Sequence, residues 1–115
     1  NQTKSSPVQV SETKTATTSL SIQDIYVEEQ VAIAEGETVL AVLERLNKED
    51  SQLQLSTKTY KGLGVLIEGI GTHKNGTDKK YWQYKVNGVM PQIGADQYIL
   101  KAGDSTQWFF ATSQE

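Results

Sequence analysis

The stretch EGETVLAVLERLNKED, residues 35–50, decides the fold class of this chain. Its apolar residues recur at the i, i+3, i+4 and i+7 spacing of one helical face, at Val39, Val42, Leu43 and Leu46. Thr38 is suited to cap the helix, and Glu35 and Glu37 precede it near the positive end of the helix dipole. The sequence therefore predicts a helix from Thr38 to residue 47 or 48, with its apolar face packed on a sheet.

The segments on either side of this helix are typical of β-strands. Residues 20–34 predict two short strands around a polar bend at residues 28–30. After the helix, alternating or continuous apolar residues predict strands within residues 51–62, 63–71, 81–90, 97–100 and 105–112.

Two turns are marked by glycine. Asn87-Gly88 lies between β-rich flanks and predicts a tight hairpin, because a type I′ turn needs positive φ at both central residues. Gly103 predicts the turn in KAGD, residues 101–104. One helix between runs of strands indicates an α+β fold. The order β-β-α-β-β-β-β is compatible with a β-grasp-like arrangement, in which one helix packs across a mixed sheet.

The sequence predicts an N-terminal tether followed by one folded domain. Residues 1–19 are rich in Ser and Thr and poor in apolar side chains, so we expect a disordered tether, and we assign residues 20–115 to the folded domain. A leader of this composition is typical of what remains after a secretory signal or a lipid-anchored segment is removed. We therefore expect the protein to be extracellular or tethered to the cell surface.

Charge and hydropathy exclude two classes of partner. The formal net charge is −3, which is the sum of +1 for the tether and −4 for residues 20–115. An acidic domain without a basic patch is repelled by phosphate backbones, so a nucleic-acid partner is not expected. No apolar run approaches the roughly 18 residues that span a bilayer, so we expect no membrane insertion by this segment.

The residue types needed for catalysis or tight metal binding are scarce. Cysteine is absent, and the single histidine, His73, lies in the polar loop of residues 72–80, where we expect a solvated side chain. The acidic cluster lacks the spacing of a calcium loop and is better explained as a solvated helix N-terminus; it consists of Glu28, Glu29, Glu35 and Glu37. Gly62 and Gly64 fail the dinucleotide pattern, since Ile67 occupies the third glycine position. We predict no enzyme activity and no covalently bound cofactor.

The strand YWQYKV, residues 81–86, carries the most distinctive side chains. Alternation places Trp82, Tyr84 and Val86 on one face. In one interpretation these rings simply fill the core beneath the helix. In the other, together with the irregular segment VMPQIGADQY at residues 89–98, they form a platform for a flat apolar ligand with amide edges.

Four segments together resemble a known family. These are TVLAVLERLNKED, GVLIEGIG, KKYWQYKVNGVMPQIGADQYIL and KAGDSTQWFF, which over residues 20–112 are similar to the C-terminal β-domain of transcobalamin and gastric intrinsic factor. That domain also occurs as a bacterial surface module. The resemblance implies a β-grasp-like fold and a soluble-ligand-binding function. In the animal carriers this domain closes over one face of cobalamin.

The resemblance also implies the ligand-binding residues and the partners. The ligand would be cobalamin or a related corrinoid, held by burial and amide bonds, and a partner protein would complete the site. The implied residues fall in two stretches, namely Gly62, Leu63, Gly64, Val65, Leu66 and Ile67, and Trp82, Gln83, Tyr84, Lys85, Val86, Asn87, Gly88, Val89, Met90 and Pro91.

Two functions stay open at the level of sequence. The first is a small-ligand-binding module that works with a partner domain or an uptake system. The second is a structural or adhesive cell-surface domain that binds a protein or a polysaccharide. The first requires that the aromatic strand and the glycine-lined strand border one accessible hollow.

Overall fold

A computed structural model of the protein describes residues 16–49 and 53–112. These residues form one α-helix, a short 3₁₀ turn at Thr77–Lys79 and seven strands. In chain order the elements are β1 (Thr17–Ile22), β2 (Tyr26–Ala32), α1 (Val39–Glu49), β3 (Ser56–Tyr60), β4 (Gly64–Ile70), β5 (His73–Lys74), β6 (Lys80–Val86) and β7 (Ser105–Thr112).

The strands form two sheets. The larger has the order β2-β1-β7-β6, in which β1 and β7 run parallel and the other pairs are antiparallel. The smaller sheet has the order β3-β4-β5, with both pairs antiparallel. One helix combined with a mixed sheet confirms the predicted α+β class and its single helix packed across a mixed sheet.

The helix forms where its apolar period predicts. Its buried residues are Val39, Leu40, Val42, Leu43 and Leu46. Thr38 caps it, since the backbone N–H of Ala41 donates to Thr38 Oγ1 at 3.1 Å. The helix begins at Val39, one residue after its cap. It ends at Glu49, one or two residues beyond the predicted end, and the added residues are exposed.

The predicted bend at residues 28–30 is wrong. The chain turns at residues 23–25 instead, where Asp24 has a φ of 64°, and residues 28–30 lie within β2. Because β2 is an outer strand with most of its residues exposed, its polar middle needs no turn to reach solvent.

Two further strand predictions need correction. Leu53 and Leu55 precede β3 rather than belong to it, although Leu53 is buried in the core. Residues 97–100 form no strand and make only an isolated bridge between Ile99 and Thr38. Their backbone instead hydrogen-bonds to the start of the helix, since Tyr98 O accepts from Val39 N at 2.9 Å. Ala95 O likewise accepts from Leu40 N at 2.9 Å.

The Asn87-Gly88 turn is confirmed. Both residues have positive φ, 54° and 83°, and the N–H of Val86 donates to Val89 O at 2.9 Å. The returning strand is limited to Val89, because β6 pairs along its length with β7. Residues 90–104 therefore run outside the sheets, apart from the Ile99 bridge, and return the chain to β7.

Strand β1 begins at Thr17, three residues before the predicted domain boundary at residue 20. Residues 1–15, which carry most of the predicted tether, lie outside the described residues. The tether stays a prediction there.

Candidate functional site

A cavity of about 190 Å³ lies where strands β4, β6 and β7 meet the segment that follows the Asn87-Gly88 turn. Its wall is formed by Val65, Leu66, Ile67, Asn75, Trp82, Tyr84, Gly94, Ala95 and Trp108. The two predicted stretches are thus brought together, through residues 65–67 of the first and the two rings of the second. The exposed area of its wall is mostly apolar, which suits a hydrophobic group.

Two larger hollows lie elsewhere among the described residues. One, of about 330 Å³, has Glu44, Asn47 and Lys48 in its wall at the end of the helix. The other, of about 410 Å³, is bordered by the turn at Asp24 and by Gln54. Neither contains a tryptophan or any residue of the predicted site, so the smaller aromatic cavity is the better candidate.

The aromatic side chains of the wall belong to a packed row of rings. Tyr84 lies 5.2 Å from Trp108, and Trp82 lies 5.1 Å from Phe110, measured between ring centroids. Trp82 and Tyr84 are at most 9% exposed, so their bodies fill the core as the first interpretation predicts. Parts of the same rings line the cavity, so the two interpretations of the aromatic strand do not exclude each other.

Tyr84 connects the strand to the irregular segment. Its hydroxyl donates to Ile93 O at 2.7 Å. Burial raises the pKa of Tyr84 to about 12, with smaller contributions from Tyr98 and Asp96. The phenol therefore stays neutral at physiological pH and remains a hydrogen-bond donor that holds Ile93 beside the cavity.

Asp96 fixes the opposite wall. Its Oδ2 accepts from the backbone N–H of Val65 at 3.1 Å, which ties the irregular segment to the start of β4. Gly64 permits this approach, because a β-carbon there would lie 2.5 Å from Asp96 Oδ2. Gly64 also has a φ of 95°, in the region that side chains rarely adopt. The glycine of the predicted stretch thus serves close packing of protein against protein.

Three buried side-chain atoms have no hydrogen-bond partner among the described residues. They are the indole nitrogen Nε1 of Trp108, the carboxylate oxygen Oδ1 of Asp96 and the hydroxyl oxygen Oγ1 of Thr106. A buried polar group without a partner costs about 1–3 kcal/mol, so such groups are uncommon in folded proteins. By contrast, the indole nitrogen of Trp82 donates to His73 O at 2.9 Å.

Several exposed apolar side chains belong to the cavity wall or to segments next to it in the sequence. Leu66 lines the cavity and is 38% exposed, and Ile93 is 48% exposed. Leu63, Val89 and Met90 are exposed as well, with Leu63 and Val89 at 66%. We refer to these five exposed residues as the apolar rim, because each lies in the wall or in a segment next to it in the chain, and exposed apolar side chains are typical of ligand or partner surfaces.

Several predicted site residues lie outside the cavity wall. Gly62 and Leu63 lie in the exposed turn before β4, and Pro91 follows the exposed Met90. Gln83 and Lys85 lie on the other face of β6, where Gln83 Nε2 donates to Ala111 O at 3.0 Å. Asn87 Nδ2 donates to Asp104 Oδ1 at 3.0 Å. Gln83 and Asn87 thus already hydrogen-bond to the protein.

The other members of the two predicted stretches have structural positions. Val86 is buried in the core. Lys85 lies over the ring of Phe109, with 5.4 Å from Nζ to the ring centroid. Gly88 occupies the turn with positive φ.

His73 and Glu37 are less solvated than the sequence predicts. The His73 ring is half-buried and stacks on Phe110 at 5.0 Å with an interplanar angle of 17°. Glu37 forms an ion pair with Arg45, from Nε to Oε2 at 2.9 Å, and its Oε1 accepts from the N–H of Ala34 at 3.0 Å. These contacts explain both residues as parts of the fold.

Metal-ligating side chains do not gather in the described part of the chain. Residues 16–49 and 53–112 contain no group of three or more His, Cys, Asp or Glu placed to hold a metal ion. Within the same residues, no helix has the length and apolar character needed to cross a bilayer.

Sequence reasoning missed two residues of the wall, Asn75 and Trp108, whereas Gly94 and Ala95 lie in the irregular segment of the predicted platform. Asn75 lies in a segment that reads as an exposed loop. Its side chain nevertheless donates to Ile67 O at 2.7 Å and accepts from Trp82 N at 2.9 Å. Trp108 follows the alternation of β7, which indicates a core residue and gives no sign of the unpartnered nitrogen.

Comparison with known proteins places the chain in a family. A family model described as a domain of unknown function, DUF4430, matches residues 36–112. The chain belongs to this family. The matched residues include the whole cavity wall. No curated protein matches the chain.

Several solved structures have a fold similar to that of this chain, and two are described here. One is haptocorrin in complex with cobinamide, with a TM-score of 0.70 and 19% identity, covering 92% of this chain and 27% of haptocorrin. The other is a protein from Ruminococcus gnavus ATCC 29149 described as a proposed metal-binding protein, with a TM-score of 0.64 and 19% identity. That match covers 89% of this chain and all of the other protein. The chain spans about a quarter of haptocorrin, and the likeness confirms a transcobalamin-like fold.

Proposed function

We propose that this DUF4430 domain is a non-catalytic, extracellular small-ligand-binding module whose ligand is cobalamin or a related corrinoid. The observation that carries the proposal is the cavity that unites residues 65–67 with Trp82 and Tyr84. The fold supports it, since the similar haptocorrin structure holds cobinamide. Haptocorrin's ligand is a property of that protein, and its extension to this chain is part of the proposal.

The dimensions of the cavity indicate how such a ligand would bind. A volume of about 190 Å³ is below the roughly 300–1,000 Å³ of pockets that bury a whole drug-sized ligand. A macrocycle would therefore lie across the apolar rim of Leu63, Leu66, Val89, Met90 and Ile93, with one substituent in the cavity.

One face of the ligand would then stay open to water. A partner domain or an uptake protein would cover that face, and in haptocorrin the part similar to this chain is only 27% of the whole. Because the isolated chain would bury only one face of the ligand, we expect it to bind with a Kd in the micromolar range or weaker.

The proposal is tested by titrating the full chain, labelled with ¹⁵N, with dicyanocobinamide and with cyanocobalamin. We expect shifts of the backbone signals of Val65, Leu66 and Ile67 and of the indole signal of Trp82. Unshifted spectra at millimolar corrinoid would eliminate the corrinoid as ligand.

Two charged substitutions separate rim binding from general surface effects. Leu66→Glu places a charge on the half-exposed rim and should weaken corrinoid binding at least tenfold, because apolar contact is replaced by a carboxylate that must be desolvated. Val27→Glu is the matched control, since Val27 is 76% exposed on the outer strand β2. Equal weakening by both variants would contradict a site at the rim.

A structural or adhesive role is the second candidate function. It is favoured by strand β3, which lies at the outer edge of the smaller sheet with Ser56 to Thr59 exposed. An open strand edge can pair with a strand of another protein. This function predicts no response to corrinoids, and it predicts that Leu66→Glu leaves the binding of a protein partner unchanged.

A further inference from the structure

The chain contains two Asn-Gly pairs, at residues 75–76 and 87–88, and the fold surrounds them differently. An Asn-Gly pair is prone to deamidation, because glycine has no β-carbon to hinder attack by its backbone nitrogen on the preceding side-chain amide. The reaction needs a glycine nitrogen that can lose its proton, a side-chain amide that can turn towards it, and access for water. The two pairs can be compared on each of these requirements.

The two glycine nitrogens differ in hydrogen bonding. Gly76 N–H donates to Lys80 O at 2.8 Å. Gly88 is exposed, and its N–H donates to no acceptor among the described residues. The nitrogen of Gly88 can therefore lose its proton to water directly, whereas that of Gly76 must first leave its carbonyl partner.

The two asparagine side chains differ in burial and in their partners. Asn75 is half-buried, and its amide bonds backbone groups of two strands, Ile67 O and Trp82 N. Its rotation would leave both of these groups unpaired, which is costly.

The amide of Asn87 is easier to release. Asn87 is exposed, and its Oδ1 accepts from the N–H of Ser105 at 2.9 Å. Ser105 is also exposed, so water can replace this bond when the amide turns. The remaining bond, from Nδ2 to Asp104 Oδ1, is 3.0 Å long.

We propose that Asn87 is a modification site, at which the chain deamidates spontaneously and the product opens the turn, whereas Asn75 is protected. The Gly88 nitrogen loses its proton and bonds to Cγ of Asn87, and the Cγ–Nδ2 bond breaks, so that Nδ2 takes up a proton and leaves as ammonia. Water then opens the cyclic succinimide at either carbonyl carbon. Opening at Cγ gives aspartate, and opening at the backbone carbonyl gives isoaspartate.

Both products change the turn that carries part of the apolar rim. The Asn87 amide donates to a carboxylate, Asp104, that is only 7% exposed. In the aspartate product an oxygen replaces the donating nitrogen, so two like charges face each other at a buried position. In the isoaspartate product the backbone gains an additional carbon, which displaces Val89 from its bridge with Val86. Val89 and Met90 should therefore change position as the protein ages.

The experiment incubates the full chain at neutral pH and compares the two sites within one molecule. Trypsin, which cleaves after lysine, places them in separate peptides, residues 75–79 and 86–101. Mass spectrometry follows the replacement of NH₂ by OH in each peptide, and enzymatic methylation identifies isoaspartate. Asn87 should deamidate about tenfold faster than Asn75, because each hydrogen bond that must break adds to the barrier.

Incubation of the chain unfolded in urea is the matched control. Both Asn-Gly pairs then lose the hydrogen bonds of the fold, so the two rates should converge. A faster rate at Asn87 that disappears on unfolding supports the proposal. An equal or slower rate at Asn87 in the folded chain overturns it, and so does a difference that unfolding leaves unchanged, because the neighbouring sequence would then be its cause.

Asn87→Asp tests the effect on the turn by introducing the first product directly. Amide exchange at Val89, whose N–H donates to Val86 O at 3.1 Å, should accelerate about tenfold in this variant. Gln92→Glu makes the same change from amide to carboxylate at an exposed position of the following segment, and it should leave exchange at Val89 unchanged. Equal exchange at Val89 in the two variants would refute the opening of the turn.

Discussion

Gly62 and Gly64 share one backbone conformation and differ in what surrounds them. Both have positive φ, 84° and 95°. A β-carbon on Gly62 would meet nothing within 4 Å, whereas one on Gly64 would meet Asp96 Oδ2 at 2.5 Å. The pair therefore separates the cost of backbone strain from the cost of losing the Asp96 contact.

We expect Gly62→Ala to lower the free energy of unfolding by about 1 kcal/mol through strain alone. Gly64→Ala should lower it by about 2–3 kcal/mol, because Asp96 must also release Val65 N–H. Urea denaturation of both variants measures the difference. Equal losses would show that the Asp96 contact contributes nothing to stability.

Tyr84 should titrate well above the ordinary pKa of a tyrosine. Burial raises its pKa in the folded state from 10 to about 12, so the neutral phenol stabilises the fold fully below pH 10. This contribution is lost as the pH rises through 12. Absorbance at 295 nm should show a late tyrosinate step that is absent in Tyr84→Phe. A late step that persists in that variant would assign it to another tyrosine.

At the scale of elements, the helix α1 depends on its N-terminal connection as well as on its apolar face. Glu37 is held by Arg45 through both carboxylate oxygens and also accepts from Ala34 N–H. The hydrogen bond from Arg45 is the main cause that lowers the pKa of Glu37 below 4.5. The charged form is therefore favoured by folding.

Glu37→Gln should lower the free energy of unfolding by about 1 kcal/mol at pH 7, a modest value because Arg45 is partly exposed. The lowered pKa means that this stabilisation is complete above pH 4.5 and is lost as the pH falls through the folded-state pKa. The two stability curves should thus converge in acid. Glu35→Gln, at an exposed neighbouring position, should change stability by less than about 0.5 kcal/mol.

The sequence correctly predicts the elements that bury one periodic face. The prediction is wrong where the backbone of a segment hydrogen-bonds to a distant element. The helix and β6 follow their apolar periods, because each packs one face on the core. Residues 97–100 also look like a strand. Their carbonyl and amide groups are used at the helix N-terminus instead, and Ile99 is 56% exposed. No local pattern encodes that long-range use.

The candidate site was predictable only in part for a similar reason. Residues 65–67, Trp82 and Tyr84 lie in the cavity wall, and their role in binding a ligand stays a prediction. Asn75 and Trp108 join the wall only through the packing of segments distant in sequence, which no local pattern shows. The resemblance implies Gln83 and Asn87 as ligand-binding residues, but the fold already uses their amides.

At the scale of the whole molecule, Asn75 joins the two sheets. Its Nδ2 donates to Ile67 O in β4, and its Oδ1 accepts from Trp82 N in β6. One side chain thus satisfies backbone groups on both sides of the cavity.

Asn75→Ala should lower the free energy of unfolding by about 2–3 kcal/mol, because two backbone groups lose their partner. Amide exchange at Trp82 should accelerate more than exchange in β1. Thr77→Ala, at an exposed position of the same segment, is the control and should change stability by less than about 0.5 kcal/mol. Unchanged exchange at Trp82 would contradict the joining role of Asn75.

The parallel pairing of β1 with β7 has a consequence for biogenesis. Ser19 lies opposite Ser105, so the centre of the larger sheet joins the two ends of the described chain. During synthesis the β1–β2 hairpin must wait, with its inner backbone edge uncovered, until β7 emerges. Closing so long a loop is slow, and a nascent chain stalled before β7 would present that bare edge to chaperones or to other nascent chains.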